Sequence, residues 1–321
     1  GLGPVMARLQ GPVNRSVPPF ISLSGKKVDP VWYNNPGQPG CLGPAFAAFA
    51  PNASARENMQ LQAGMSLDRL RNRRQLQQAF DRVRRNVERS GVLDGADAHM
   101  QQALDILTSG RLVEALDLER EDPRVRQRYG RALPLQTHTD FTPYNSVTRP
   151  EDMLLARRLI EAGARNVTFT FGWWDWHGTA TLYKKNCFEE GRWYIPALDR
   201  ALSALLEDLT ERGMIDDVTV LVWGEFGRNP TISKTAGRDH WPNVACALLA
   251  GGGLKTGQVL GATDPRGGEA ARRPIHFQDV YATVYKALGI DVQHATYTDL
   301  NGRPRYLIDN TQHAAIRELV Y

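Results

Sequence analysis

Residues Val218 to Trp223 restrict this chain more than any other stretch. They are β-branched or apolar throughout, too few for a stable helix, and followed at once by Gly224-Glu225-Phe226-Gly227-Arg228. Such a run reads as a buried strand, and unbroken apolar strands belong to parallel sheets covered on both faces. In open α/β sheets, polar residues beyond the carboxyl end of a strand build the site. Glu225 and Arg228 stand there, with Arg238, Asp239 and His240 one loop later.

From Arg149 onward the pattern alternates between helix and strand, as an α/β fold requires. An amphipathic helix is expected over Glu151–Ala162, with Pro150 near its start and Gly163 at its end. Asn166–Phe171 reads as a strand that runs into Trp174-Asp175-Trp176-His177-Gly178. A helix over Ile195–Arg212 follows, with Leu198, Leu202, Leu205, Leu206 and Leu209 as its apolar stripe. The organising strand comes next, then a short strand over Asn243–Ala250 and a helix over Phe277–Leu288. The expected fold class is therefore α/β, a mostly parallel sheet flanked by helices.

At 321 residues and 42% hydrophobic, the chain can bury a large core. A single domain over 1–321 is expected, with 149–321 as its α/β half and 1–148 as an irregular and helical insert region. Within that region, residues 1–55 are rich in Pro and Gly and read as surface wrapping. Short helices are expected over Asp97–Leu107, Val113–Leu118 and Pro123–Tyr129. The chain opens at Gly1 without an initiator methionine or export signal, so an upstream segment is expected.

The net charge of +4 allows an anionic substrate without demanding nucleic acid. The Arg69–Arg89 stretch carries many arginines opposite an apolar face, but no aromatic residues interleave to stack bases, and a solvated helix face accounts for it. Cys41, Cys187 and Cys246 lie too far apart in sequence for a thiolate zinc motif or a dense disulfide framework, though one bridge stays open. No apolar run reaches the length of a membrane span.

Asp175 and His177 follow one expected strand, and Glu225 follows the next. Asp239 and His240 complete a set of carboxylates and imidazoles of the kind that zinc, manganese and iron sites use. If the two strands were parallel neighbours, their carboxyl ends would lie about 5–10 Å apart, close enough to share a metal. Each residue alone has a structural alternative. Asp175 can cap a loop, His177 can be a packed core histidine among tryptophans, Glu225 and Arg228 can pair as ions, and Asp239 can orient His240. Their succession on strand ends favours a site.

Other motifs fall away. Gly251-Gly252-Gly253-Leu254-Lys255-Thr256-Gly257 lacks the spacing of a phosphate-binding loop, and no G-x-S-x-G elbow is present. His99, His138, His276, His294 and His313 have no partners at ligand spacing.

The runs Leu155–Gly163, Trp174–Gly178, Gly224–Arg228 and Gly237–Pro242 resemble, in that order, the sulfatase-like family known as domain of unknown function 1501. Ala250–Gly253, Gly261–Asp264, Asp279–Gly289 and Asn301–Pro304 extend the likeness, as do Arg128–Gly130 and Leu42–Pro44. The resemblance implies an alkaline phosphatase superfamily fold and metal-dependent hydrolysis of phosphate or sulfate esters. It implies that Asp175, His177, Glu225, Asp239 and His240 hold a divalent metal, with zinc, manganese or calcium as candidates. Arg228 or Arg238 would face the anionic ester, with a polysaccharide as one candidate substrate. Phe226 stands where the superfamily carries a histidine, and the strand bearing the nucleophile would precede Gly1. The family likeness further implies export to the periplasm or cell surface. The rival reading is a sulfatase-like binding protein, for a carbohydrate or protein partner, that kept the fold and lost the chemistry.

Overall fold

The computed structural model describes residues 1–24, 37–51, 68–69, 72, 103, 105–106, 109–133, 149–172, 174–178, 186–309 and 311–321. The arginine-rich Arg69–Arg89 stretch and the helix expected over Asp97–Leu107 fall almost wholly outside these residues. Two compact units are present.

The first unit comprises Gly1–Glu121, Leu155–Thr170 and Asp299–Asn301. It opens with helix α1 (Leu2–Gln10), where the Pro and Gly content reads as loop. Pro4 lies in the first turn, where no N–H is needed for the helix ladder. Gly3 lets the helix approach closely, since a Cβ there would overlap the Phe20 ring. Strand β1 (Phe20–Ser22) pairs in parallel with β2 (Asn166–Thr168), with Ile21 opposite Val167. The core beneath joins Val17, Ile21 and Ile106 to Leu112 and Leu116 of helix α2 (Arg111–Leu116), and to Leu155 and Leu159. Arg157 is buried there between Glu121 and Glu161, so its charge is paired rather than stranded.

The second unit comprises Asp122–Leu154, Phe171–Thr298 and Gly302–Tyr321. Helix α3 (Pro123–Tyr129) begins at the Asp122 cap. Helix α4 (Glu151–Ala162) has the bounds its periodicity predicts, and from Leu155 onward it belongs to the first unit. Helix α5 runs over Cys187–Glu211 and starts eight residues before the Ile195 expected from its pattern. A capping box explains the difference: Asn186 Oδ1 accepts from the N–H groups of Phe188 and Glu189, and Glu189 accepts from the Asn186 N–H. Pro196 is therefore inside the helix rather than at its start. The buried stripe is also rotated from the leucine register, onto Tyr194, Ala201, Ala204, Leu205, Asp208 and Leu209. Asp208 belongs to it because Tyr129 Oη donates to its Oδ2 at 2.8 Å and Arg212 Nε to its Oδ1 at 2.8 Å.

Strand β3 (Thr219–Trp223) forms where the apolar run predicts it, but it is not part of a large parallel sheet. The expected α/β architecture with a mostly parallel sheet is overturned. The sheets of the described residues are two-stranded, and all but β1–β2 are antiparallel. A parallel return needs a crossover, usually helical. Residues 224–246 instead form a hairpin of β4 (Gly227–Arg228) and β5 (His240–Trp241), and the chain comes back antiparallel as β6 (Ala247–Gly251). The residues of β3 are half-buried apart from exposed Trp223, and those of β6 half-buried or exposed, so neither strand has the double cover of a parallel sheet. Strand β2 pairs with β1 and β3 with β6, so the adjacent parallel strands on which the sequence-based metal geometry rested are not formed.

Beyond β6, Gly251, Gly252 and Gly253 all adopt positive φ, and a Cβ on Gly251 or Gly252 would overlap Val218 or Thr219. The glycine run is thus a turn that closes the sheet. Lys255 lies 4.3 Å from the Tyr321 ring centroid, which is no phosphate cradle. Strands β7 (Ala262–Thr263) and β8 (Ala270–Arg272) pair next, followed by helix α6 (Phe277–Ala287) and the hairpin of β9 (Thr296–Thr298) and β10 (Pro304–Tyr306). Val280, Ile316 and Leu319 pack with Leu221 and Leu249. No disulfide joins Cys41, Cys187 and Cys246. Among the described residues, no helix is long and apolar enough to cross a membrane.

Candidate metal centre

Residues 174–178 turn tightly, with the His177 N–H donating to the Asp175 carbonyl at 3.2 Å. Trp174 and Trp176 both lie on Tyr194 of α5, each with ring centroids 5.9 Å from it. Asp175 and His177, interleaved with them, meet the β4–β5 hairpin. The two tryptophans thus pack on α5 while the acid and the imidazole reach hairpin residues.

The hairpin brings the complement. Arg228 is directly opposite His240 in the ladder, and the Asn229 N–H donates to the Asp239 carbonyl at 2.8 Å. The loop between them is held by Arg238, whose Nη1 donates to the carbonyls of Asn229 and Pro230 at 2.7 and 2.9 Å. The Arg238 N–H donates to the Trp176 carbonyl at 2.9 Å, tying the hairpin loop to the Asp175–His177 segment. Two glycines permit this approach: a Cβ on Gly237 would overlap the His177 carbonyl, and one on Gly178 would meet Gly237.

Three donor atoms converge. Asp175 Oδ1 is 2.9 Å from His177 Nε2 and 2.9 Å from His240 Nε2, and the two Nε2 atoms are 3.1 Å apart. They form a group able to hold a metal ion. Asp239 Oδ1 lies 3.0 Å from His177 Nδ1. A carboxylate accepts, so Nδ1 donates in this contact, as in sites where a carboxylate orients a metal-binding histidine. Nε2, 2.9 Å from the Asp175 carboxylate, donates there without an ion and offers its lone pair only when an ion displaces that proton. Side-chain exposures of 25% for Asp175, 21% for His177 and 50% for His240 leave the group reachable from solvent.

Arg228 Nη1 donates to Asp175 Oδ1 at 2.6 Å. Burial, the largest single influence, pushes the Asp175 carboxyl up. The hydrogen bonds from His240 and Arg228, with the Arg228 charge, outweigh it and hold the carboxyl below its usual range. Asp175 is therefore an anion at neutral pH, as a metal ligand must be.

The structure sorts the residues singled out in the sequence. Asp175, His177 and His240 supply the converging atoms. Asp239 stands behind His177. Glu225 is exposed and lies 3.9 Å from Arg228 Nη2, apart from the three donors. Arg228 is engaged with Asp175, and Arg238 with loop carbonyls. The Phe226 ring packs on His240 at 4.5 Å between centroids, with the Arg228 guanidinium 5.6 Å from it. The wall that Phe226 makes and the pairing of Arg228 with Asp175 carry no signal in the sequence, because both depend on the hairpin register. His276, His294 and His313 have acid or ring partners that are also not readable from spacing: His294 bonds Asp291, His313 bonds Asp279, and His276 stacks on His313. His99 and His138 lie outside the described residues.

Two imidazole nitrogens and one carboxylate oxygen suit a divalent transition ion better than calcium, which prefers an all-oxygen shell. The donor set therefore fits a metal, and its identity is not determined by the donors alone. A family model described as "Protein of unknown function (DUF1501)" matches residues 1–320. No curated protein and no solved structure matches the chain.

Proposed function

We propose, from the premise that the chain belongs to the DUF1501 family of proteins of unknown function, that it binds a divalent metal ion through Asp175, His177 and His240 and uses it to hydrolyse phosphate or sulfate esters. The observation that carries the reading is the convergence of three ligand atoms within 3.1 Å of one another at a solvent-reachable surface. A bound ion supplies Lewis-acid polarisation of an ester oxygen. The chain's own residues do the rest. Asp239 holds the His177 tautomer, Arg228 keeps Asp175 ionised, and Phe226 walls one side of His240 away from water. The metal cluster supports the ion, and the ester class rests on the family resemblance; the antiparallel sheets of the described residues do not form an alkaline phosphatase fold.

A polysaccharide ester as substrate and an exported setting belong to the same proposal and rest on family resemblance. Nothing in the site calls for nucleic acid.

The rival reading, a binding protein without catalysis, has its own support. Arg228 is paired with Asp175 and Arg238 with carbonyls, so neither candidate guanidinium is reserved for an ester anion. Elemental mass spectrometry of the dialysed chain, beside the His240→Ala variant, tests the metal. A panel of aryl phosphate and aryl sulfate esters then separates the readings. A stoichiometric transition ion lost in the variant, with ester turnover lost alongside it, supports the hydrolase. Metal without turnover of any ester favours the binding protein.

A further inference from the structure

Asn301-Gly302 lies in the loop between β9 and β10 and is the sole Asn-Gly pair of the chain. An asparagine amide is open to attack by the backbone nitrogen of the residue that follows it. A folded chain blocks this attack when a following side chain crowds that nitrogen, when a hydrogen bond ties the nitrogen down, or when a hydrogen bond holds the amide. At Asn301 each of these restraints is missing. Gly302 adopts φ +76° and has open space where a Cβ would stand. Its N–H makes no hydrogen bond among the described residues, and neither does the Asn301 amide. The Asn301 N–H donates to Asp299 Oδ1 at 2.9 Å, which shapes the turn without engaging the exposed side chain.

Other asparagines are held. Asn14 Oδ1 accepts from both the N–H and the hydroxyl of Ser16, and Asn186 Oδ1 caps α5. Asn243 Nδ2 donates to Glu269 at 2.6 Å. Asn229 Oδ1 accepts from the Thr231 N–H, and Pro230 behind it has no N–H to lose. Hydrogen bonding and chain sequence thus single out the same residue.

We infer that Asn301 is a site of self-modification, deamidating in the folded chain to aspartate and isoaspartate. The Gly302 nitrogen gives its proton to solvent base and attacks Asn301 Cγ. The new N–Cγ bond replaces the Cγ–Nδ2 bond, and the amide nitrogen leaves as ammonia. Water then opens the cyclic imide. Addition at Cγ returns the normal backbone with an aspartate side chain, and addition at the main-chain carbonyl carbon routes the backbone through Cγ as isoaspartate. No oxidant or reductant is needed. The product carries a carboxylate where a neutral amide stood. Its isoaspartyl form lengthens the backbone beside Leu300, which is anchored: the Leu300 N–H donates to the Cys41 carbonyl at 3.2 Å, and its side chain lies where a Cβ on Gly43 would reach. The inference is independent of the metal site.

The test ages the full chain in mildly alkaline buffer, with circular dichroism confirming that it stays folded, and samples it over time. Peptide mass spectrometry reads the amide-to-acid exchange, and labelling by an isoaspartyl methyltransferase reads the isoaspartyl product. The urea-unfolded chain and the folded Asn301→Gln variant run in parallel. The expected result is conversion at residue 301 of the folded chain at a rate comparable to that of the unfolded chain. Peptides carrying Asn14, Asn186, Asn229 and Asn243 should stay unchanged over the same interval, and Asn301→Gln should remove the label. A folded chain that keeps its Asn301 amide while the unfolded chain converts would overturn the inference, because the turn would then protect the residue. Equally fast conversion at the hydrogen-bonded asparagines would overturn it as well.

Discussion

Asp239 Oδ1 lies 3.0 Å from His177 Nδ1, on the far side of the imidazole from the nitrogen that faces Asp175 and His240. Asp239 follows His177 by 62 residues and touches neither of the other two donors in the ion pairs it makes here. In the proposed metal site this contact would hold the proton on Nδ1.

Replacing Asp239 by alanine should weaken affinity for the divalent ion that the wild-type chain binds by about 10–100-fold, the usual consequence of removing a partner behind a ligating histidine. The carboxylate is 72% exposed, so the thermal midpoint of the metal-free chain should scarcely move. Isothermal titration beside a thermal melt checks both. Affinity unchanged within twofold would show that Asp239 does not position His177.

Gly237 is where the hairpin loop meets the Asp175–His177 segment. A Cβ there would overlap the His177 carbonyl and the Gly178 nitrogen, which are backbone atoms with little freedom to yield. Gly237→Ala should lower stability by about 1–3 kcal/mol and displace His177 enough to abolish metal binding. Gly224→Ala is the control. Its added Cβ would meet its nearest atom at an ordinary 3.7 Å, and the change should stay within about 0.5 kcal/mol. Urea denaturation of both variants decides, and equal stabilities would mean the loop can back away.

Tyr129→Phe removes the hydroxyl that donates to buried Asp208 at 2.8 Å. The loss should destabilise the chain by about 1–3 kcal/mol, because a desolvated carboxylate loses a donor. Metal binding should persist. A denaturant midpoint equal to the wild type would show that the other partners of Asp208, Arg212 among them, satisfy it without Tyr129.

The Arg273 side chain donates to both Glu318 oxygens, at 2.7 and 2.8 Å, and this hydrogen bonding draws the Glu318 carboxyl down from 4.5 to about 2. A carboxyl depressed in the folded state adds stability above its unfolded value, and that contribution is lost as pH falls from about 4.5 through about 2. Arg273→Gln should return the Glu318 titration, followed by carboxyl NMR, towards the ordinary glutamate range. The pair is exposed, so the accompanying change in stability should be small. A titration midpoint that stays near 2 would mean that another group sets it.

Much of the local structure is legible in sequence. The helix Glu151–Ala162 has the predicted bounds, and strand β3 lies within the predicted Val218–Trp223, because amphipathic period, Pro and Gly punctuation, and β-branched runs act over a few residues. Helix α5 is partly legible. Its leucines predict a helix, but its start is set by Asn186 and Glu189, and its buried face is set by what Tyr129 and Arg212 offer to Asp208. Helix α1 was hidden because Gly3 and Pro4 signal a turn in one dimension and close packing in three.

By itself the sequence determined where acids and imidazoles occur and which short segments carry them, including Asp175, His177 and His240. Only tertiary structure decided that β3 returns antiparallel to β6, because strand direction depends on what the intervening chain folds into and not on the strand's own residues. Tertiary structure likewise decided that Glu225 stands apart while Asp175 meets His240, 65 residues away. A hydrogen-bond partner at such separation is chosen by hairpin register and glycine-permitted approach, and neither leaves a period or a motif in the sequence.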